Sequence, residues 1–150
     1  VSRLDDIIEA LQQASLSYYD ECVLALLPGT YIIDPLGKGE CLGYGVPGMT
    51  LRLIGVGDVD IVKGIRTAFH VTGGSKLRLE CAKMSESHPH PTGAAIACRD
   101  LGSHVHLVRC HFRGVGGLTI LSDATALVEH CTFEEMTNFG IEVRDCGCLS

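Results

Sequence analysis

Val105-His106-Leu107-Val108-Arg109-Cys110-His111-Phe112 is answered downstream by Ala126-Leu127-Val128-Glu129-His130-Cys131-Thr132-Phe133. The two Cys are 21 residues apart (131 − 110), and so are the two Phe (133 − 112). Each phrase leads into a second one, Gly117-Leu118-Thr119-Ile120 and then Gly140-Ile141-Glu142-Val143. A period of roughly 20–30 residues marks units that stack and share one core. Apolar and polar residues alternate within each phrase, so the units are short strands with one face inward. Such a chain is expected to be all-β: a coil of strands with every sheet parallel.

Upstream, the same plan is weaker but legible. One unit reads Leu51-Arg52-Leu53-Ile54-Gly55, Val59-Asp60-Ile61 and Phe69-His70-Val71; the next reads Leu77-Arg78-Leu79, Ala82, Met84 and Ala94-Ala95-Ile96. Leu53, Leu79, Leu107 and Val128 form one inward column, and Val71, Ile96, Ile120 and Val143 a second. The residues between them define outward columns: Arg52, Arg78 and His106 in one, and His70, Ala95, Thr119 and Glu142 in another. The Gly clusters 55–57, 73–74 and 114–117 lack the strand–loop–helix setting of a phosphate site. They are expected to be coil corners with positive φ.

A single domain over residues 1–150 is expected, in four parts. Leu4, Ile7, Ile8 and Leu11 recur at helical spacing, with Ser2 and Asp5 placed as a capping box, so residues 2–15 are read as an amphipathic cap. Val23-Leu24-Ala25-Leu26-Leu27, a Pro28-Gly29 turn and Thr30-Tyr31-Ile32-Ile33 make a first turn of two buried strands over 22–33. The Gly- and Pro-rich stretch 34–48 reads as a loop, and the repeated coils fill 50–150. Residues 85–92, Ser-Glu-Ser-His-Pro-His-Pro-Thr, are an insertion, and insertions in such arrays map to loops on one face.

Composition narrows the function. The formal charge is −6, which argues against a nucleic-acid or anionic-membrane surface. No apolar run of about 18 residues is present, so no membrane-spanning helix is expected. Of the eight Cys, Cys110 and Cys131 fall at the same inward point of successive coils. They are read as reduced core thiols acting as small hydrophobes, which favours an intracellular setting. Phe112 and Phe133 share that register and read as a buried ladder. The last coil would expose unpaired strand edges, so further coils or a protein partner are expected there, and the chain reads as part of something larger.

These residues resemble the right-handed parallel β-helix of the pectate lyase-like superfamily, specifically its carbohydrate-binding and sugar-hydrolase-type repeat subgroup. "VLALLPGTYII" resembles its cap and first turn, "LRLIGVGDVDIVKG" its first full coil, and "VEHCTF…NFGIEV" its repeat. The resemblance implies a solenoid fold that hosts lyases, hydrolases and non-enzymatic scaffolds alike. Its enzymes stack Asp residues or Ca²⁺-binding acids with an Arg base on outward columns. The outward columns here stack no two carboxylates, so no catalytic residue is assigned.

Two sets remain as candidate ligands. Asp100, Asp123 and Asp145 recur near strand ends and, with Glu142 and Arg144, could form an edge for Ca²⁺ or a sugar; turn residues bonding to their own backbone explain the Asp more simply. His88, His90, His104 and His106, four imidazoles from neighbouring loops, could bind Zn²⁺ or Cu²⁺; polar surface is the plainer reading. No cofactor is required by either. The sequence therefore points first to a non-enzymatic scaffold, a protein-interaction domain. The alternative is a polysaccharide-active lyase or hydrolase, or a glycan-binding β-helix.

Overall fold

A computed structural model describes residues 2–4, 6–8, 10, 21–33, 42–44, 49–64, 67–86, 93–136, 139–144 and 147–150. In chain order the strands are β1 (Ser2–Arg3), β2 (Glu21–Leu26), β3 (Gly29–Ile33), β4 (Leu42–Tyr44), β5 (Thr50–Gly55), β6 (Val59–Lys63), β7 (Phe69–Val71), β8 (Lys76–Glu80), β9 (Lys83–Glu86), β10 (Ile96–Cys98), β11 (His104–Val108), β12 (His111–Arg113), β13 (Leu118–Ile120), β14 (Thr125–Glu129), β15 (Thr132–Glu134), β16 (Ile141–Val143) and β17 (Cys148–Leu149). They stack into three sheets. Sheet A runs β1-β3-β6-β9-β12-β15, sheet B runs β2-β5-β8-β11-β14-β17, and sheet C runs β4-β7-β10-β13-β16. Every pairing is parallel. The chain visits B, A and C once per coil, which makes the molecule a parallel β-solenoid.

The repeat dictates the register. Leu53, Leu79, Leu107 and Val128 are direct partners across sheet B, as their spacing predicts. On sheet A, Tyr31, Ile61, Met84, Phe112 and Phe133 form one inward column. The rings of Phe112 and Phe133 stack with centroids 4.9 Å apart and planes 6° from parallel. Leu53, Leu79, Leu107 and Phe112 are wholly buried. Burying each such side chain contributes roughly 1.5–3 kcal/mol.

Sheet C corrects the expected second column by two residues. Val71 pairs with Cys98, not Ile96, and Cys98 pairs with Ile120 and then Val143. The outward column is accordingly His70, Ala97, Thr119 and Glu142. Ala95 is instead buried at the bend before β10, where its N–H meets the carbonyls of Gly116 and Gly117. A slip of two keeps the same face inward, because the strand period is two; residue pattern alone could not detect it. The insertion absorbs the offset.

Other expectations also shift. Ser2 and Arg3 form a strand on β3, helical geometry begins at Leu4, and residues 11–20 lie outside those described. Leu4 and Ile8 are nonetheless buried in the core. The apolar run 23–27 is not buried throughout: Val23 is 53% exposed, because alternation sends every second residue of β2 outward, and Leu27, just past the strand, is 66% exposed. Within the expected loop, Leu42–Tyr44 forms β4 and closes the edge of sheet C on β7.

The corners depend less on glycine than the sequence suggests. Between sheets B and A the chain bends at one left-handed residue per coil, Cys81, Arg109 and His130, with φ of 56°, 51° and 53°. Gly57 has φ +80°, as a corner Gly should. Gly117 has a different reason: a Cβ there would lie 1.7 Å from the Gly140 carbonyl oxygen, so it is glycine because two coils touch through backbone.

The last coil is more open than the one before it. Cys110, Phe112 and Leu118 are buried, whereas their partners Cys131, Phe133 and Ile141 are half-buried and Val143 is 42% exposed. Phe112 therefore carries the core at this end. Phe112→Ala is expected to cost about 3–5 kcal/mol, read from urea unfolding, and Phe133→Ala distinctly less.

Candidate functional site

Strand alternation aims three polar faces outward, and sheet B carries the most ordered of them. Arg52 on β5, Arg78 on β8 and His106 on β11 are register partners in one outward column. Lys76 and His104 are partners in the column beside it. Glu80 bridges the two Arg: its Oε2 accepts from Arg52 Nε at 2.7 Å, and its Oε1 accepts from Arg78 Nη2 at 3.0 Å. His106 Nε2 lies 2.9 Å from Glu129 Oε2, and His104 Nδ1 shares a 2.7 Å hydrogen bond with Thr125 Oγ1.

The electrostatics follow these contacts. The hydrogen bond from Arg52, seconded by that from Arg78 against the opposing effect of burial, holds the Glu80 carboxyl below the ordinary carboxylate range. Arg52 is raised in return. Burial, then the neighbouring His106 and Lys76, lowers His104 and keeps its imidazole neutral to lower pH. The His106 hydrogen bond lowers Glu129.

A second feature lies on the outer face of sheet A. Asp60, Lys83, Met84, Ser85, His111 and Arg113 line a shallow cleft of about 280 Å³. Its cations are already engaged, Lys83 with Asp58 at 2.6 Å and Arg113 with Glu135 at 3.1 and 3.3 Å. His111 hydrogen-bonds to Thr132 and lies 3.6 Å from Glu134.

The structure distributes the sequence candidates as follows. Asp100 and Asp123 occupy the corner from sheet C to sheet B in successive coils, with left-handed φ of 80° and 65°. Asp100 Oδ2 accepts the Gly73 N–H of the coil below at 3.0 Å, as a corner-stapling residue does. Glu142 stands on β16 and pairs with Arg144 at 2.5 Å. Asp145, His88 and His90 lie outside the described residues. His104 and His106 share the sheet B face, with ring centroids 6.5 Å apart. The insertion leaves from Glu86 of sheet A and returns at Gly93 before sheet C. Among the described residues no group of three or more His, Cys, Asp or Glu is placed to hold a metal ion.

The outward column of Arg52, Arg78 and His106 is legible in the sequence, but the link between the two Arg through Glu80 is not. It requires two coils to be laid in register. The cleft was missed altogether, since its residues are scattered between positions 60 and 113.

Cys81 and Cys148 are free and exposed, and the other described cysteines behave as core groups of graded character. Cys22, Cys98 and Cys110 are buried and free, Cys131 is half-buried and free, and Cys41 and Cys146 are outside the described residues. Burial pushes the Cys98 thiol up to about 12. The hydrogen bond shared with Cys131, with burial behind it, raises Cys110. The same bond pulls Cys131 down to about 6, and the Cys131 sulfur also accepts the Cys110 N–H at 3.4 Å.

Comparison with protein-family profiles, with curated proteins and with solved structures finds no match to this chain. The fold is established by the strand register alone. No helix among the described residues is long and apolar enough to cross a membrane.

Two outcomes follow. Because the folded Glu80 carboxyl is depressed, its contribution to stability is complete above the unfolded value near 4.3 and is lost as the pH falls through the lower folded value. The urea-unfolding gap between wild type and Glu80→Gln should stay level from about pH 7 to 5 and close below about pH 4. Iodoacetamide with peptide mass mapping should label Cys131 well before Cys98 and Cys110, since the thiolate is the nucleophile.

Proposed function

We propose that this β-solenoid is a non-enzymatic scaffold, a rigid interaction domain of the pectate lyase-like superfamily that presents flat lateral faces to another protein. The observation that carries this reading is the pairing of outward acids with cations, within a coil or across to the next. Glu80 is shared by Arg52 and Arg78, Glu129 binds His106, Glu135 binds Arg113, Asp58 binds Lys83 and Glu142 binds Arg144. Acids tied to cations in this way shape a recognition surface and are poor general acids or nucleophiles. The last coil adds a second contact region, with Val143 and Leu149 42% and 39% exposed in the inward columns above Ile120 and Ala126. Further coils of a longer chain or strands of a partner would stack there through backbone hydrogen bonds and apolar contact.

One observation favours a second reading, a polysaccharide-active or glycan-binding β-helix: the cleft of Asp60, Lys83, Ser85, His111 and Arg113. In that reading a Ca²⁺ or Zn²⁺ ion and the edge of Asp100, Asp123, Glu142, Arg144 and Asp145 would belong to ligand binding.

The readings separate experimentally. The full-length protein should release no unsaturated uronate from pectin or alginate with added Ca²⁺, measured by ultraviolet absorbance. Turnover that disappears in Glu142→Ala overturns the scaffold reading. Val143→Asp combined with Leu149→Asp should change the assembly state in sedimentation velocity, and an unchanged profile removes the last coil as a contact region.

A further inference from the structure

The face of sheet B is built with its acid underneath its cations. The Glu80 side chain is 12% exposed, whereas Arg52 and Arg78 are 34% and 38% exposed. Glu80 therefore fixes both guanidinium groups from below, and a visitor meets the guanidinium edges first. Each guanidinium carries five N–H donors, of which Glu80 takes one from each. Lys76 is exposed two residues from Arg78 on β8, and His104 stands in register with it. Neighbouring coils are about 4.8 Å apart and alternate residues along a strand about 6.6 Å. The result is a grid of nitrogen donors across β5, β8 and β11.

Glu80 lies beneath the centre of this grid, and the other carboxylates beside it stand at its margins. Glu21 lies on β2 and Glu129 on β14, one coil outside the grid on each side. They would repel a long continuous polyanion lying along the solenoid axis. Apolar side chains also border the cations: Val23 is 53% exposed, and Ile54, Val108 and Leu127 are partly exposed in the two adjoining outward columns. A phosphate backbone has nothing to place against them, whereas a peptide does. The chain's net charge of −6 does not cancel the patch, because charges beyond about 8 Å are screened at physiological salt.

We propose that the outer face of sheet B is the docking surface for an acidic segment of a protein partner, an extended stretch that carries carboxylate and apolar side chains on the same face, at every second residue. Arg52 and Arg78 take the carboxylates through the Nη N–H groups that Glu80 leaves unoccupied, with Lys76 and His104 alongside. Val23, Ile54 and Val108 take the apolar residues. This names the partner chemistry of the scaffold reading and rests on it.

The test is fluorescence anisotropy with a labelled octapeptide, Glu-Ser-Val-Ser-Glu-Ser-Val-Ser, which puts Glu and Val on one face, added to the full chain. Saturable binding that weakens with added NaCl is expected. It should be about tenfold or more weaker in Arg52→Gln/Arg78→Gln, a loss of about 1.4 kcal/mol or more. It should be unchanged in Lys83→Gln/Arg113→Gln on sheet A. The same peptide with Lys in place of each Glu should not bind. Because the double variant strands Glu80, the triple variant with Glu80→Gln is measured beside it, with its urea midpoint as the folding control. No saturable binding, or binding that survives the triple variant, overturns the proposal. Tighter binding to duplex DNA or to phosphatidylserine vesicles, lost in the same variants, also overturns it. If the peptide fails while no uronate turnover appears and the last-coil variants still alter assembly, only this inference falls. If turnover appears, the scaffold reading falls whatever the peptide does.

Discussion

Each coil lies directly on the next, residue over equivalent residue, and every other property of the molecule depends on that in-register parallel stacking. The backbone hydrogen bonds of sheets A, B and C run from coil to coil. A side chain therefore meets chiefly its counterparts one coil away. Like must tolerate like at a spacing of about 4.8 Å. Inside, that rule is satisfied by shape: Leu53 on Leu79 on Leu107, and Phe112 on Phe133 with nearly parallel rings. A Phe or Leu ladder packs because identical side chains in identical rotamers nest.

Outside, the same rule creates a problem that the structure solves with shared acids. Arg52 and Arg78 are forced into adjacent positions of one column, and two guanidinium groups at that distance repel. Glu80, from the neighbouring outward column, accepts from both. The depressed carboxyl of Glu80 and the raised guanidinium of Arg52 describe that one arrangement from its two sides. At the other end of the column, Glu129 does the same for His106. The surface charge is thus organised along the solenoid axis, which is why the lateral faces carry the functional reading. At the corners, stacking has its own cost. Cys81, Arg109 and His130 adopt left-handed backbone, a conformation that disfavours a residue with a Cβ, and they keep it because the coil above and the coil below bend at the same place.

The buried ion pair of Lys63 and Glu86 shows how strict the stacking is. Both side chains sit inside the envelope, at 0% and 1% exposure, with Nζ and Oε1 3.0 Å apart. Lys63 occupies a position that alternation assigns inward, beyond Val59 and Ile61. It is accommodated because register supplies Glu86 directly above it and the Gly64 carbonyl beside it. A lone buried charge would be far more costly than this paired one.

From the sequence alone, alternation and the 21-residue step determined the all-β solenoid, the inward column on sheet B, the Phe ladder and the burial of Cys110. These are local quantities: which residue is apolar, and how far away its copy lies. They also placed Arg52, Arg78 and His106 on one outward face. Tertiary structure decided what local pattern cannot carry. The insertion at 85–92 left the register of sheet C ambiguous by two residues, since a shift of two keeps the same face inward. Gly117 faces Gly140 across a coil boundary, Glu80 reaches two Arg from different strands, and the cleft gathers residues from three coils. Such contacts exist only once coils are laid on one another, because the parallel register joins residues more than twenty positions apart in the chain.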